Sequence, residues 1–71
     1  MRGGEFLRRV ARLGRTNGVP VVFDPTRGKG SHGTLFYGER FTILKDRRKE
    51  LSKGLLKGMC SDLGISLRDL E

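Results

Sequence analysis

The stretch that decides the fold is residues 32–44, which reads HGTLFYGERFTIL. Apolar and β-branched residues on both sides of Gly38-Glu39 predict a β-hairpin, with strands near 31–37 and 40–44. A two-residue loop that begins with glycine is typical of a type II′ turn. Because the turn sets the offset between the strands, it also predicts which residues face each other.

Strand alternation places every second side chain of the hairpin on one face. With Gly38-Glu39 as the loop, one face carries three cross-strand pairs, which are Phe36 with Phe41, Thr34 with Ile43, and His32 with Lys45. We expect this face to pack in the core, because its two phenylalanines and its isoleucine are strongly apolar. His32 and Lys45 then lie at its open end. A shift of one residue in register would reverse the two faces.

A helix and a strand are predicted before the hairpin. Residues 4–14 repeat apolar side chains at helical spacing, which predicts an amphipathic helix with Gly14 as its C-terminal stop. Residues 19–23 read VPVVF. This β-branched and aromatic segment predicts a strand, and Pro20 either places it at a sheet edge or confines its pairing to the residues after the proline.

A second helix is predicted after the hairpin, over residues 53–63, where leucines and Met59 lie on one stripe. Ser52 has the position of an N-cap, and Gly64 that of the glycine which ends a helix. The order of elements is α-β-β-β-α. It favours an α+β fold in which a three-stranded antiparallel sheet carries two helices on one face.

Length and charge limit the kind of function this chain can have. Its 71 residues predict a single domain over 1–71 with little room for a deep cavity, so a site should lie on the surface. Fifteen Lys and Arg against eight Asp and Glu give a formal charge of +7. A field of that sign attracts nucleic acid, and next an anionic membrane surface or an acidic protein. Composition leaves all three open.

Cysteine usage and hydropathy indicate a reducing cytoplasm. Cys60 is the only cysteine, which excludes an internal disulfide and a cysteine-based metal site. Its apolar neighbours indicate a buried filler and not a nucleophile. No apolar run approaches the roughly 20 residues of a membrane span. The N-terminus does not lead into the apolar region of a secretory signal.

His32 is the only histidine, and it follows a basic, glycine-rich segment, RGKGS at residues 27–31. Glycines let backbone N–H groups approach phosphate oxygens closely. Imidazole exchanges protons near neutral pH, as a general base must. In RNA the proton to remove belongs to the ribose 2′-OH. We therefore expect His32 to be catalytic and the segment before it to bind phosphate, through Arg27, Gly28, Lys29, Gly30 and Ser31. A surface histidine without a role is the alternative.

A second basic cluster begins where the hairpin ends, and its members are Lys45, Arg47, Arg48, Lys49, Lys53 and Lys57. Its density of positive charge favours contact with the RNA backbone, although a solvated loop is the plainer interpretation. The eight acidic residues are scattered and do not gather around His32. Because a metal-dependent nuclease needs several carboxylates around its ions, we expect no metal and no other cofactor.

The combination of these features resembles HicA-type mRNA interferase toxins. The similar features are a basic N-terminal helix, the segment GKGSH at 28–32 with aromatics shortly after it, the hairpin, and the segments LSKGLL at 51–56 and LGIS at 63–66. The resemblance covers nearly the whole chain. It implies a single HicA-like domain with a fold like that of double-stranded-RNA-binding domains.

The same resemblance implies a toxin of a HicA/HicB toxin–antitoxin system, which cleaves mRNA without a metal and is neutralised by a HicB-type antitoxin. The catalytic histidine of the family corresponds to His32. Many members carry another histidine after the third strand, where this chain has KDRR at 45–48. The general acid is therefore left open between Lys45, an ordered water and no group at all.

Three functions follow from the sequence. The first is a cytoplasmic RNA endonuclease acting on single-stranded RNA or mRNA, in which His32 activates the 2′-OH. The alternative is a non-catalytic RNA-binding module on the same fold, which needs the basic residues but not His32. The third is a structural protein whose basic face docks an acidic partner.

Overall fold

The computed structural model of the chain describes residues 1–26 and 32–71. Its elements are α1 (Gly3–Asn17), β1 (Val21–Asp24), β2 (Gly33–Tyr37), β3 (Arg40–Leu44) and α2 (Lys53–Leu63). A short 3₁₀ helix over Leu67–Leu70 follows α2. The predicted α+β fold with the order α-β-β-β-α is confirmed.

The three strands form one antiparallel sheet in the order β1-β2-β3. The predicted hairpin register is confirmed, because Phe36 pairs with Phe41 and Thr34 with Ile43. Gly38 has a φ of 63°, which the first central position of a type II′ turn requires. Its N–H also donates to the carbonyl of Pro20, 2.8 Å away, which ties the turn to the start of β1.

The prediction of which sheet face packs in the core is wrong. Both helices cover the opposite face, where Leu35 and Leu44 are fully buried. On the face predicted to be the core, Phe41 is 57 % and Ile43 46 % exposed. The physical reason is that α2 satisfies a polar residue on the covered face, since the Thr42 hydroxyl donates to the Asp62 carboxylate at 2.8 Å. Apolar bulk alone therefore does not identify the core face.

One hydrophobic core lies between the sheet and the helices. α1 contributes Phe6 and Val10, and both are fully buried. The buried residues of α2 are Leu56, Met59, Cys60 and Leu63. The same cluster contains Leu35 from β2, so both helices pack on one face of the sheet as predicted.

α1 does not stop at Gly14, as the sequence suggested, but continues to Asn17. Gly14 is buried inside the helix, because a Cβ there would lie 2.7 Å from the carbonyl oxygen of Val19. The stop is Gly18, whose φ of 68° is the left-handed conformation that glycine adopts readily. Gly14 thus serves the close packing of the helix on the chain that enters β1.

α2 begins and ends where the sequence predicts. The Ser52 hydroxyl oxygen accepts a hydrogen bond from the Leu55 N–H at 3.2 Å, and Gly64 ends the helix with a φ of 72°. No helix in the described ranges is long and apolar enough to cross a bilayer.

Candidate functional site

His32 lies at one end of the sheet and is exposed. It immediately precedes β2, and Lys45 immediately follows β3, so the two residues are at the same end of the hairpin. Both line an open groove of about 260 Å³ between the β3–α2 loop and the start of α2. Lys49 lines the same groove, so two lysines share it with the histidine.

Two carboxylates also line this groove, but each has a structural partner. The Asp46 carboxylate accepts the backbone N–H of Arg48 at 2.9 Å and lies 3.8 Å from its guanidinium. The Glu50 carboxylate pairs with the N-terminal ammonium group of Met1. His32 has no hydrogen-bond or ion-pair partner within residues 1–26 and 32–71. The carboxylates thus shape the loop and leave the imidazole open to a ligand.

The basic loop that carries Lys45 and Lys49 is held by the first turn of α1. The N–H groups of Gly3 and Gly4 donate to the carbonyls of Lys49 and Arg47, at 3.1 and 2.8 Å. A Cβ on Gly3 would lie 2.9 Å from the Arg47 Cα, which shows how closely the helix approaches the loop. These hydrogen bonds fix the backbone of the loop, and with it the positions from which the basic side chains extend.

A stacked arrangement connects this loop to the strand that begins after His32. The Phe23 ring lies over the backbone of Gly33, where no side chain intervenes. The Arg47 guanidinium carbon lies 5.2 Å from the centre of the same ring, within the range of a cation–π contact. The contact with the Phe23 ring thereby restricts the orientation of the Arg47 side chain.

The structure brings some of the predicted site residues together and separates others. Arg47 and Arg48 line a second groove on the other side of the loop, next to Arg8 of α1. Leu55 lines the His32 groove, and the exposed residues Lys53 and Lys57 are each two positions from it on α2, about 160° around the helix. They therefore do not lie in the His32 groove. Arg27, Gly28, Lys29, Gly30 and Ser31 lie outside the described residues.

Sequence reasoning gave no functional role to a row of arginines on α1. Arg8, Arg12 and Arg15 are exposed and line a groove together with Glu5 and Arg9. Their spacing of four and three residues, which puts side chains on one side of a helix, was the signal available in the sequence.

The open face of the sheet is a second surface that sequence reasoning missed. Its exposed apolar side chains come from the two outer strands, since Val22 of β1 is 55 % exposed in addition to Phe41 and Ile43 of β3. Phe36 completes the patch, with its ring centre 6.1 Å from that of Phe41. We call these four residues the open-face patch. Contiguous exposed apolar patches mark interaction surfaces, whereas single exposed apolar residues are ordinary.

Cys60 takes no part in this site. Its side chain is buried in the core, and burial, followed by the negative charge of Asp69, raises the pKa of the thiol above its ordinary value of 9.0. The thiol is therefore protonated at neutral pH. Among the described residues, no three His, Cys, Asp or Glu side chains gather as a metal site would require.

Comparison with known proteins adds no relative to these observations. No family model, no curated protein and no solved structure matches the chain. The resemblance to HicA-type toxins, and that of the fold to double-stranded-RNA-binding domains, therefore stay predictions made from the residues.

Proposed function

We propose that this protein is a metal-independent RNA endonuclease, an mRNA interferase toxin of the HicA type that acts in the cytoplasm. The observation that supports it is the exposed imidazole of His32 in an open groove with Lys45 and Lys49. A groove on the surface suits a polymer, and two ammonium groups suit its phosphates.

In this mechanism His32 accepts the proton of a ribose 2′-OH. The 2′ oxygen then attacks the adjacent phosphorus, and the bond from phosphorus to the 5′ oxygen of the next nucleotide breaks. The products are a 2′,3′-cyclic phosphate and a 5′-hydroxyl, whose proton comes from Lys45 or from water. Lys45 and Lys49 stabilise the charge that develops on the phosphoryl oxygens.

The test is cleavage of single-stranded RNA in EDTA by wild type and His32→Ala, with the ends of the fragments identified. We expect cyclic phosphate ends from wild type and a rate about 10²–10⁴-fold lower from the variant, the usual contribution of a general base. Because His32 is exposed, the variant should fold and bind RNA as wild type does. His32→Ala purified by the same procedure as wild type also serves as the control for contaminating ribonuclease.

Added imidazole gives a second arm of this experiment. Partial recovery of His32→Ala by free imidazole would identify the missing group as the proton acceptor. Cleavage at the wild-type rate by the variant would overturn the proposal. RNA binding without cleavage by wild type would instead favour the non-catalytic RNA-binding module.

A partner protein is the second component of the proposal. The open-face patch ends close to His32, the proposed catalytic residue, since Ile43 pairs with Thr34, which is two residues from His32. A standard interface covers about 800 Å² on each partner, more than these four side chains expose, so a protein docked there would also cover the end of the sheet. The net charge of +7 disfavours a second copy and favours an acidic partner, as a HicB-type antitoxin would be.

A further inference from the structure

α1 presents three arginines whose charges are not used within the described part of the chain. Arg8, Arg12 and Arg15 are exposed, and none has a side-chain hydrogen bond or ion pair with another described residue. Like charges at this spacing destabilise a helix. The positive charge of Arg15 lies in the last turn of α1, where the helix dipole favours it. The repulsion between Arg8 and Arg12 has no described contact that offsets it.

The neighbouring charges in the same groove are different, because they stabilise the fold. Arg9 donates to the Glu5 carboxylate at 2.5 Å and to the Leu70 carbonyl at 3.0 Å. Glu5 is thereby neutralised within the groove, and Arg9 joins α1 to the last 3₁₀ helix. The exposed row of Arg8, Arg12 and Arg15, which we call the arginine row, is the part left for a ligand.

The arginine row is continuous with the proposed site. Arg8 lines both the α1 groove and the groove that contains Arg47 and Arg48. Asp46 lines that second groove and also the His32 groove. Adjoining grooves, each lined by more basic than acidic residues, therefore lead from Arg15 along α1, past Asp46 of the β3–α2 loop, to His32.

We propose that the arginine row binds the phosphate backbone of the same RNA strand, at nucleotides beyond the one that is cleaved. From Arg8 to Arg15 the helix is about 10 Å long. A stacked strand carries a phosphate about every 3.4 Å, so the row spans about three nucleotides. A membrane is the less suitable polyanion, because the apolar side of α1 is buried, with Phe6 and Val10 fully covered. The inference rests on the proposed function, since it requires RNA as the ligand.

The test compares two substitutions that remove the same charge. Arg12→Gln changes the arginine row, whereas Arg68→Gln changes an exposed arginine that lines none of the three grooves. The affinity for a single-stranded oligonucleotide is measured against salt concentration. For single strands the slope of the logarithmic plot changes by about 0.7 for each phosphate contact. We expect Arg12→Gln to flatten the slope by about 0.7, Arg12→Gln/Arg15→Gln by about 1.4, and Arg68→Gln not at all.

Substrate length gives the second readout. A dinucleotide carries only the phosphate that is cut, so it cannot reach the arginine row. We expect the double variant to cut the dinucleotide at the wild-type rate. For an oligonucleotide KM should rise, by about fivefold for each lost contact near 0.1 M salt, while kcat stays unchanged.

The outcomes separate this inference from the proposed function. A wild-type protein that neither binds nor cuts RNA overturns both. Cleavage by wild type, with slopes for the double variant equal to that of Arg68→Gln, overturns the role of the arginine row alone. Unchanged RNA binding with lost binding of polyglutamate also overturns it, and assigns the row to an acidic protein.

Discussion

Gly33 shows how a residue beside the proposed catalytic histidine is constrained by packing. A Cβ at this position would lie 2.7 Å from Cε1 of Phe23 and 3.2 Å from the carbonyl oxygen of Asp24. The ring of Phe23 in turn holds the guanidinium of Arg47. The glycine after His32 is therefore required by the fold, whatever ligand the groove binds.

Gly33→Ala should accordingly lower stability, whereas His32→Ala should not. We expect a loss of about 1–3 kcal/mol from the forced displacement of Phe23, as overpacked sites usually show. His32 is exposed, so its substitution should stay within about 0.5 kcal/mol of wild type. Urea unfolding of the two variants checks this contrast, and equal stability would contradict the described packing.

Cys60 predicts a loss of stability in alkaline solution. Burial, and then the charge of Asp69, raise the pKa of the thiol in the folded chain. Above about pH 9 the unfolded state loses this proton first, so the folded state binds more protons and stability falls as pH rises. The loss is at most about 1.4 kcal/mol per pH unit.

The measurement is the free energy of unfolding of wild type and Cys60→Ala across this pH range. The alanine variant is less stable at neutral pH because it leaves a small cavity. Its deficit should shrink as the pH rises above 9, since only wild type has the thiol. A constant difference between the two proteins would show that the thiol is not held in its protonated form.

Among the elements, α2 is weakened by its own sequence. Gly54 and Gly58 lie within this helix, and a Cβ at either position would meet nothing within 4 Å. Glycine inside a helix costs about 1 kcal/mol relative to alanine. Packing of Leu56, Met59 and Leu63 in the core therefore holds the helix in place.

Gly58→Ala should stabilise the protein by about 0.5–1 kcal/mol, because it restricts the unfolded chain and meets free space in the folded one. Gly64→Ala, at the residue that ends the same helix, is the matched control. There φ is 72°, and a Cβ would lie 2.9 Å from Cδ of Arg40. Thermal unfolding should show a higher midpoint for the first variant and a lower one for the second, and shifts of the same sign would refute this assignment.

The elements also show what the sequence could predict. Apolar spacing and the caps located the second helix, and the Gly38-Glu39 turn set the correct register of the hairpin. The core face was reversed, because the decisive contact, between Thr42 and Asp62, joins residues that are distant in the chain. Arg40 likewise has partners that are distant in the chain, since its guanidinium donates to the carbonyls of Asp62 and Ser61 at 2.9 and 3.1 Å. Polar partners of this kind are visible only when the helix is in place.

At the scale of the molecule, charge and apolar surface lie on different faces. The grooves beside α1 and the β3–α2 loop are lined largely by basic residues, whereas the open-face patch is apolar. His32 could be proposed as the catalytic residue from the sequence because it is the only histidine. The arginine row could not be connected to it, because the connection runs through hydrogen bonds between the first turn of α1 and the distant loop. In the proposed function, RNA and the partner protein would therefore have separate binding faces.

Substitution of the open-face patch should therefore remove control by a partner without removing activity. Phe41→Ser/Ile43→Ser changes two exposed side chains, so we expect the fold and RNA cleavage to be retained. Binding of a hydrophobic dye should fall, and inhibition of cleavage by a HicB-type antitoxin should be lost, because the apolar centre of an interface provides most of its affinity. Leu67→Ala, which removes an apolar side chain packed against the core elsewhere, should stay inhibited. Full inhibition of the double variant, or a complex in which the antitoxin leaves both the patch and His32 open to solvent, would place the partner on another surface.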